Sequence, residues 1–207
     1  MKRLMIVSLA VLCVAALLPQ TLSAGFGIKG GYSLSKFTVA STEPIPFVFG
    51  NLDSPVGGIF FSLGLGPLAI QPEVLYVRMG AEYEVDENNG LKWQLDYIQV
   101  PVLLKLNIIP AGPIRPFICA GGYGAYLIKA KGIMTVDGVP EGTTLTADYQ
   151  KYDYGVVGGA GLTFKLPGIA ISVEGRYNYG LKNILVDPAA GDSLKNTSMM
   201  VLVGIGF

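Results

Sequence analysis

Histidine is absent from all 207 residues. That absence removes Ser-His-Asp and Cys-His nucleophilic catalysis, the HExxH zinc site and imidazole proton shuttling. Charge is scarce too. Asp, Glu, Lys and Arg make up 14% of the chain, against about 25% in an ordinary soluble domain. The formal net charge is zero, so no basic field calls for nucleic acid, and none is expected as a partner. There are two cysteines. Cys13 lies in an apolar leader, so Cys119 is left without a disulfide partner and reads as a small packing residue. Outside residues 4–18, no stretch approaches the ~20 apolar residues with which a helix crosses a bilayer.

Residues 4–18 belong to a leader. Lys2 and Arg3 form its positive end, LMIVSLAVLCVAALL its apolar run, and PQTLSA leads to a small-residue cleavage point after Ser23 or Ala24. We therefore expect a cleavable signal peptide over residues 1–24 and one mature domain over 25–207. An exported chain so poor in charge is either a periplasmic all-β protein or a barrel in an outer membrane.

What the chain does have is alternation, together with 28 glycines. In FGIKGGYSLSK, Phe26, Ile28, Tyr32 and Leu34 share one face, and Lys29, Ser33 and Ser35 the other. In GIFFSLGLG, Ile59, Phe61, Leu63 and Leu65 oppose Phe60 and Ser62. AIQPEVLYV sets Ile70, Val74 and Tyr76 against Gln71 and Glu73. LDYIQVPVLLKLNI sets Ile98, Val100, Val102, Leu104 and Leu106 against Gln99, Lys105 and Asn107. RPFICAGGYGAYLI is small and apolar on both faces, and its facing stays open. YDYGVVGGAGLTF sets Tyr152, Tyr154, Val156, Leu162 and Phe164 against Asp153 and Thr163. IAISVEGRYNYG sets Val173, Tyr177 and Tyr179 against Glu174, Arg176 and Asn178. The last run ends in VLVGIGF, with Met199, Val201, Val203, Ile205 and Phe207 aligned.

These are eight strands. GPL, IPAGPI and LPG are tight turns. The other connections, about 37–55, 80–92, 129–150 and 181–196, are long and carry most of the acidic residues. The predicted fold is an eight-stranded antiparallel up-and-down β-barrel crossing a membrane.

A soluble ligand-binding barrel turns its apolar face inward, and a membrane barrel turns it outward. Three features favour the outward arrangement. The polar face carries one or two charges per strand, which suits a narrow packed lumen; Lys29, Glu73, Lys105, Asp153, Glu174 and Arg176 form the expected charge network there. Aromatics sit near the ends of the apolar face: Phe26, Phe164 and Phe207 toward the short turns, and Tyr32, Tyr76, Tyr154, Tyr177 and Tyr179 toward the long loops, as two membrane interfaces select. Turn lengths are also asymmetric. A final strand that pairs with the first needs no polar tail, which accounts for Phe207 at the end.

GIKGGYSLSKF, IQPEVLYVRMG, LDYIQVPVLLKLNI, PFICAGGYGAYLIKAKG, YDYGVVGGAGLTFKL and ISVEGRYNYGLKNI resemble, in that order, the PorT-like outer-membrane β-barrel family. The resemblance implies a small eight-stranded barrel and no particular activity. It also implies that the terminal strand ending in phenylalanine is read by the barrel-insertion machinery.

Other motifs weigh little. GFGIKG fits GxGxxG but runs into a strand rather than a helix. VDENNG misses the EF-hand spacing and reads as a hairpin tip. Outer-membrane deacylases and omptin-type proteases resemble histidine-dependent enzymes, so neither activity is expected. Glu73, Asp153 and Glu174 could serve carboxylate chemistry, but a salt-bridge network is the better reading. The sequence predicts no enzyme and no cofactor. It predicts an outer-membrane monomer, partnered by lipid, by the insertion machinery and by an extracellular ligand at the loops. A narrow solute channel and a soluble periplasmic binding barrel are the alternatives.

Overall fold

A computed structural model describes residues 22–40, 50–86, 89–186 and 192–207. Nine strands follow in chain order: β1 (Leu22–Ala40), β2 (Gly50–Leu65), β3 (Leu68–Asp86), β4 (Asn89–Asn107), β5 (Ile114–Val136), β6 (Val139–Thr144), β7 (Tyr152–Leu166), β8 (Ile169–Gly180) and β9 (Ser193–Gly206). Eight of them pair antiparallel with their neighbours, and β1 closes on β9 from Gly27↔Gly206 to Ala40↔Ser193. Closure removes every free edge from the wall, as a lipid environment demands. The signal segment lies outside the described residues up to residue 21. β1 begins at Leu22, just ahead of the expected cleavage point.

The ninth strand is not legible in the alternation. β6 folds back on β5 through a tight turn at Asp137 and Gly138, both at positive φ. The connections expected over 80–92 and 129–150 are likewise mostly strand: β3, β4 and β5 run on as a tall ribbon beyond the barrel wall.

Which way the apolar residues point is unambiguous. Ile28, Ile59, Ile70, Val102, Leu104, Val201 and Val203 are exposed on the outer surface, while Lys29, Gln71, Glu73, Glu174 and Arg176 are buried inside. This overturns the soluble binding-barrel alternative, which needs the apolar row turned inward. On β7 the outward Tyr154 and the half-buried Phe164 stand ten positions apart. At ~3.3 Å per residue and a tilt of about 45°, they bracket about 23 Å, close to the height of an apolar membrane band. Phe26 and Phe207 stack at one rim with centroids 5.8 Å apart. Tyr32, Tyr76 and Tyr177 are exposed toward the other end, and Tyr179 is half-buried.

Further along the strands the outer surface changes character. Arg78 on β3 pairs with Asp96 on β4 at 2.6 Å, and Glu82 with Lys92 at 2.8 Å. Register shifts cluster at this level, between Asn51 and Val56, at Asp96/Tyr97 and at Glu84/Asp86. The shift opposite Asp96 leaves Ile128 and Lys129 both exposed and returns Ala130 to the interior.

β5 now has its sides. Phe117, Cys119, Tyr123, Ala125 and Leu127 point in, and Ile118, Tyr126 and Ile128 point out. Tyr126 meets Tyr152 edge-on at 5.4 Å, adding an aromatic pair to the outer surface.

Candidate functional site

The interior divides into three levels, each traceable to what the inward positions of the strands carry. In the middle is an ionic knot. Glu73 (β3) accepts from both terminal nitrogens of Arg176 (β8), at 2.6 Å and 2.6 Å. The Lys29 ammonium (β1) donates to Glu73 at 2.8 Å and to Glu174 at 2.5 Å. Arg176 also reaches Glu174 at 2.8 Å, and the Gln71 amide donates to Glu73 at 2.6 Å. The four charged side chains are at most 1% exposed. Two cations and two anions cancel, so the knot sits in a low-dielectric interior without net charge. Each ion is desolvated, and only this geometry compensates the cost.

Two residues expected in the network stand apart from it. Among the described residues Lys105 on β4 is within salt-bridge reach of no carboxylate; its ammonium lies 3.5 Å from the centroid of Phe117 and 3.4 Å from the Thr163 hydroxyl. Asp153 is a correction. Alternation fixes the side of the wall a residue faces, but not its height. Glu174 pairs with Gly161 of β7, and Asp153 lies eight positions farther along that strand, about 26 Å at ~3.3 Å per residue. Its partner is the Asn196 amide at 2.9 Å, which also reaches the Tyr97 hydroxyl at 3.3 Å.

Above the knot, the interior is packed: a hydrophobic core fills it, with Gln99, Asp153, Asn178 and Asn196 buried alongside. Leu75, Val77, Met79, Leu95, Tyr97, Tyr123, Leu127 and Leu202 pack together there, joined by Phe37 and Ile184. Ile184 comes from residues 181–186, the described part of the β8–β9 connection that follows β8, which packs over the barrel end. Its N–H donates to Leu194, and its carbonyl accepts from Gln150. Asn183 Oδ1 accepts from the N–H groups of Leu185 and Leu194, fixing this cap. Sequence reasoning missed the core because β3 and β4 are apolar on both faces at this height. The available signal was that very loss of alternation, in VLYVRMGA and LDYI.

Below the knot the barrel opens to the short-turn end as a cavity of 340 Å³. Lys105, Arg115 and Lys165 line it.

Among the described residues no group of three His, Cys, Asp or Glu side chains is placed to hold a metal ion. No helix among them is long and apolar enough to cross a membrane, which says nothing of a chain that crosses with strands.

Comparison with known proteins bears on this architecture. Solved structures share the fold, among them the following three. Neisserial surface protein A superposes with a TM-score of 0.50 at 14% identity, over 89% of this chain and 97% of its own. OprG of Pseudomonas aeruginosa gives 0.53 at 9% identity, over 89% and 95%. The outer membrane protease OmpT of Escherichia coli gives 0.50 at 10%, over 93% and 99%. No curated protein sequence is significantly similar to this one. Residues 19–186 match the outer membrane protein beta-barrel domain. The chain is accordingly a member of the outer membrane protein beta-barrel domain family, and its place is the cell outer membrane.

Proposed function

We propose that this protein is a non-conducting surface module: the membrane barrel anchors it, and the raised β3–β6 ribbon with the cap presents an extracellular binding surface. The observation that carries this reading is the double obstruction of the interior, by the Lys29–Glu73–Arg176–Glu174 knot and by the core beneath Ile184. Eight strands leave an interior that side chains fill. The ribbon ends in exposed apolar residues, Met134, Val136 and Val139, beyond the level where Arg78–Asp96 replaces the greasy outer face. Exposed apolar side chains at a polar site mark contact surfaces.

The role is non-catalytic in this reading. Likeness to OmpT extends to the fold alone, and this chain has no histidine. The PorT-like resemblance is the finer placement we favour within the family. The protein works as a monomer, with lipid around the wall and the insertion machinery as a transient partner during assembly.

A narrow channel is the second reading. One observation favours it: Gln99, Tyr123, Asp153, Asn178, Asn196 and Ser198 each hold a buried polar atom with no protein partner, and a thread of such atoms is what permeating water would follow. Planar-bilayer recording of the purified protein separates the two readings. The surface-module reading expects no discrete conductance steps; steps of uniform size would sink it in favour of the channel. Deleting residues 131–144 should then abolish surface binding to whatever cell or matrix component the wild type retains, with the heat-dependent gel mobility of a closed barrel unchanged.

A further inference from the structure

The cavity below the knot belongs to no part of the extracellular reading, and it has a chemistry of its own. Its volume of 340 Å³ is that of a small-molecule site. Its lining includes Lys105, Arg115 and Lys165 but no Asp or Glu side chain. None of the three cations forms a salt bridge among the described residues. Arg115 donates to the Gly112 carbonyl at 3.1 Å, and Lys105 has only the Thr163 hydroxyl and the Phe117 ring face. Lys105 is half-buried, so it holds an ammonium away from bulk water with most of its donors unused. Elsewhere among the described residues the buried cations are compensated: Lys29 and Arg176 are both paired.

The site also has a floor and an apolar wall. Lys29 lies 5.1 Å from the ring centroid of Phe60, which lines the cavity directly beneath the knot. Phe60 and the knot together form the floor of the cavity. Phe26, Leu166 and Ile169 supply apolar surface beside the cations.

From this geometry we propose that the cavity is a binding site for a phosphate-bearing ligand with a small apolar body, taken from the periplasmic side. Three cations around one opening suit a multiply charged oxyanion better than a lone carboxylate. The same headgroup chemistry has two sources: a free phosphate ester in the periplasm, or an anionic phospholipid of the adjacent leaflet.

The full chain, ¹⁵N-labelled in phosphatidylcholine nanodiscs, distinguishes them by NMR. In one arm sn-glycerol 3-phosphate is titrated in; in the other, phosphatidylglycerol is added to the bilayer. The expected result is a shift of the Asn107, Thr163 and Ser172 amides in one arm, with Met134 and Val139 unmoved. The first arm assigns a free ester and the second a lipid headgroup. Lys105→Gln combined with Lys165→Gln should weaken the effective affinity about tenfold or more, while the heat-dependent mobility shift persists. Should that double variant misfold, Arg115→Gln, nearer the rim, replaces it with the same expected loss. Silence in both arms overturns the proposal. So do shifts spread over the extracellular ribbon, or an affinity that survives the folded variants.

Discussion

Arg176 grips Glu73 with both terminal nitrogens at 2.6 Å across the interior of the barrel, from β8 to β3. The two strands are not neighbours in the wall, so this contact ties opposite sides together where no backbone ladder can. The same pair explains why a barrel with so little charge retains these ions: they fill the cross-section and hold it at one diameter.

Breaking that tie from one side should be costly. Arg176→Met leaves Glu73 and Glu174 facing Lys29 alone, and removing one partner of a buried pair typically costs about 3–5 kcal/mol. Replacing both residues, as Glu73→Gln with Arg176→Met, should cost less than the sum of the single changes. Urea unfolding in lipid vesicles reads the cycle; strictly additive losses would mean that the pair is not coupled.

Val102 sits near mid-wall with its side chain outward. An arginine there must be solvated by hydrocarbon, at about 2–4 kcal/mol if the position is near the midplane. Val102→Arg should lower folding yield in vesicles, whereas Lys131→Arg on the ribbon should not. Equal yields for both would contradict lipid contact at Val102.

Gly31 lies where β1 meets β9, and a Cβ there would stand 1.9 Å from the Val201 carbonyl oxygen. No flexible side chain can yield at that spot, because the obstacle is backbone. Gly31→Ala should loosen the closing seam, lower the temperature at which the unboiled gel band disappears, and cost about 1–3 kcal/mol. Gly124→Ala is the control, since nothing lies within 4 Å of its added Cβ.

Phe207 contributes more than a ring. Its N–H donates to the Phe26 carbonyl at 2.8 Å, and its carbonyl accepts from Phe26 at 3.3 Å. Phe207→Ala keeps both bonds and removes the aromatic stack. Its effect on unaided refolding should therefore be small. Membrane-inserted yield in cells should fall severalfold if the insertion machinery reads the ring. Matching behaviour in the two assays would remove that role.

The facing of seven strands was legible because a lipid-exposed wall forces a strict rule: Ile28 beside Lys29, Val74 beside Glu73, Val173 beside Glu174. β5 broke the rule, since Phe117, Cys119 and Tyr123 fill the barrel while Ile118 and Tyr126 line its exterior; apolarity on both faces carries no direction. Height was not legible anywhere. Lys29, Glu73, Glu174 and Arg176 lie at one level and Asp153 at another because strand register sets height, and register depends on pairings as remote in sequence as Gly27↔Gly206. β6 escaped for a local reason: VPEGTT shows no alternation, and only the turn at Asp137 and Gly138 announces it.

The exchange of surfaces at Arg78 and Asp96 has a consequence for the whole molecule. Below that line the outer face is apolar; above it, Ala81, Leu95 and Ala130 are buried within while Arg78, Asp96, Glu82 and Lys92 pair on the outside, and only the tip of the ribbon turns apolar side chains outward again. The upper storey thus carries its own source of cohesion. That cohesion comes from buried side chains, whereas the lower storey turns its apolar rows toward lipid and depends on the bilayer to cover them.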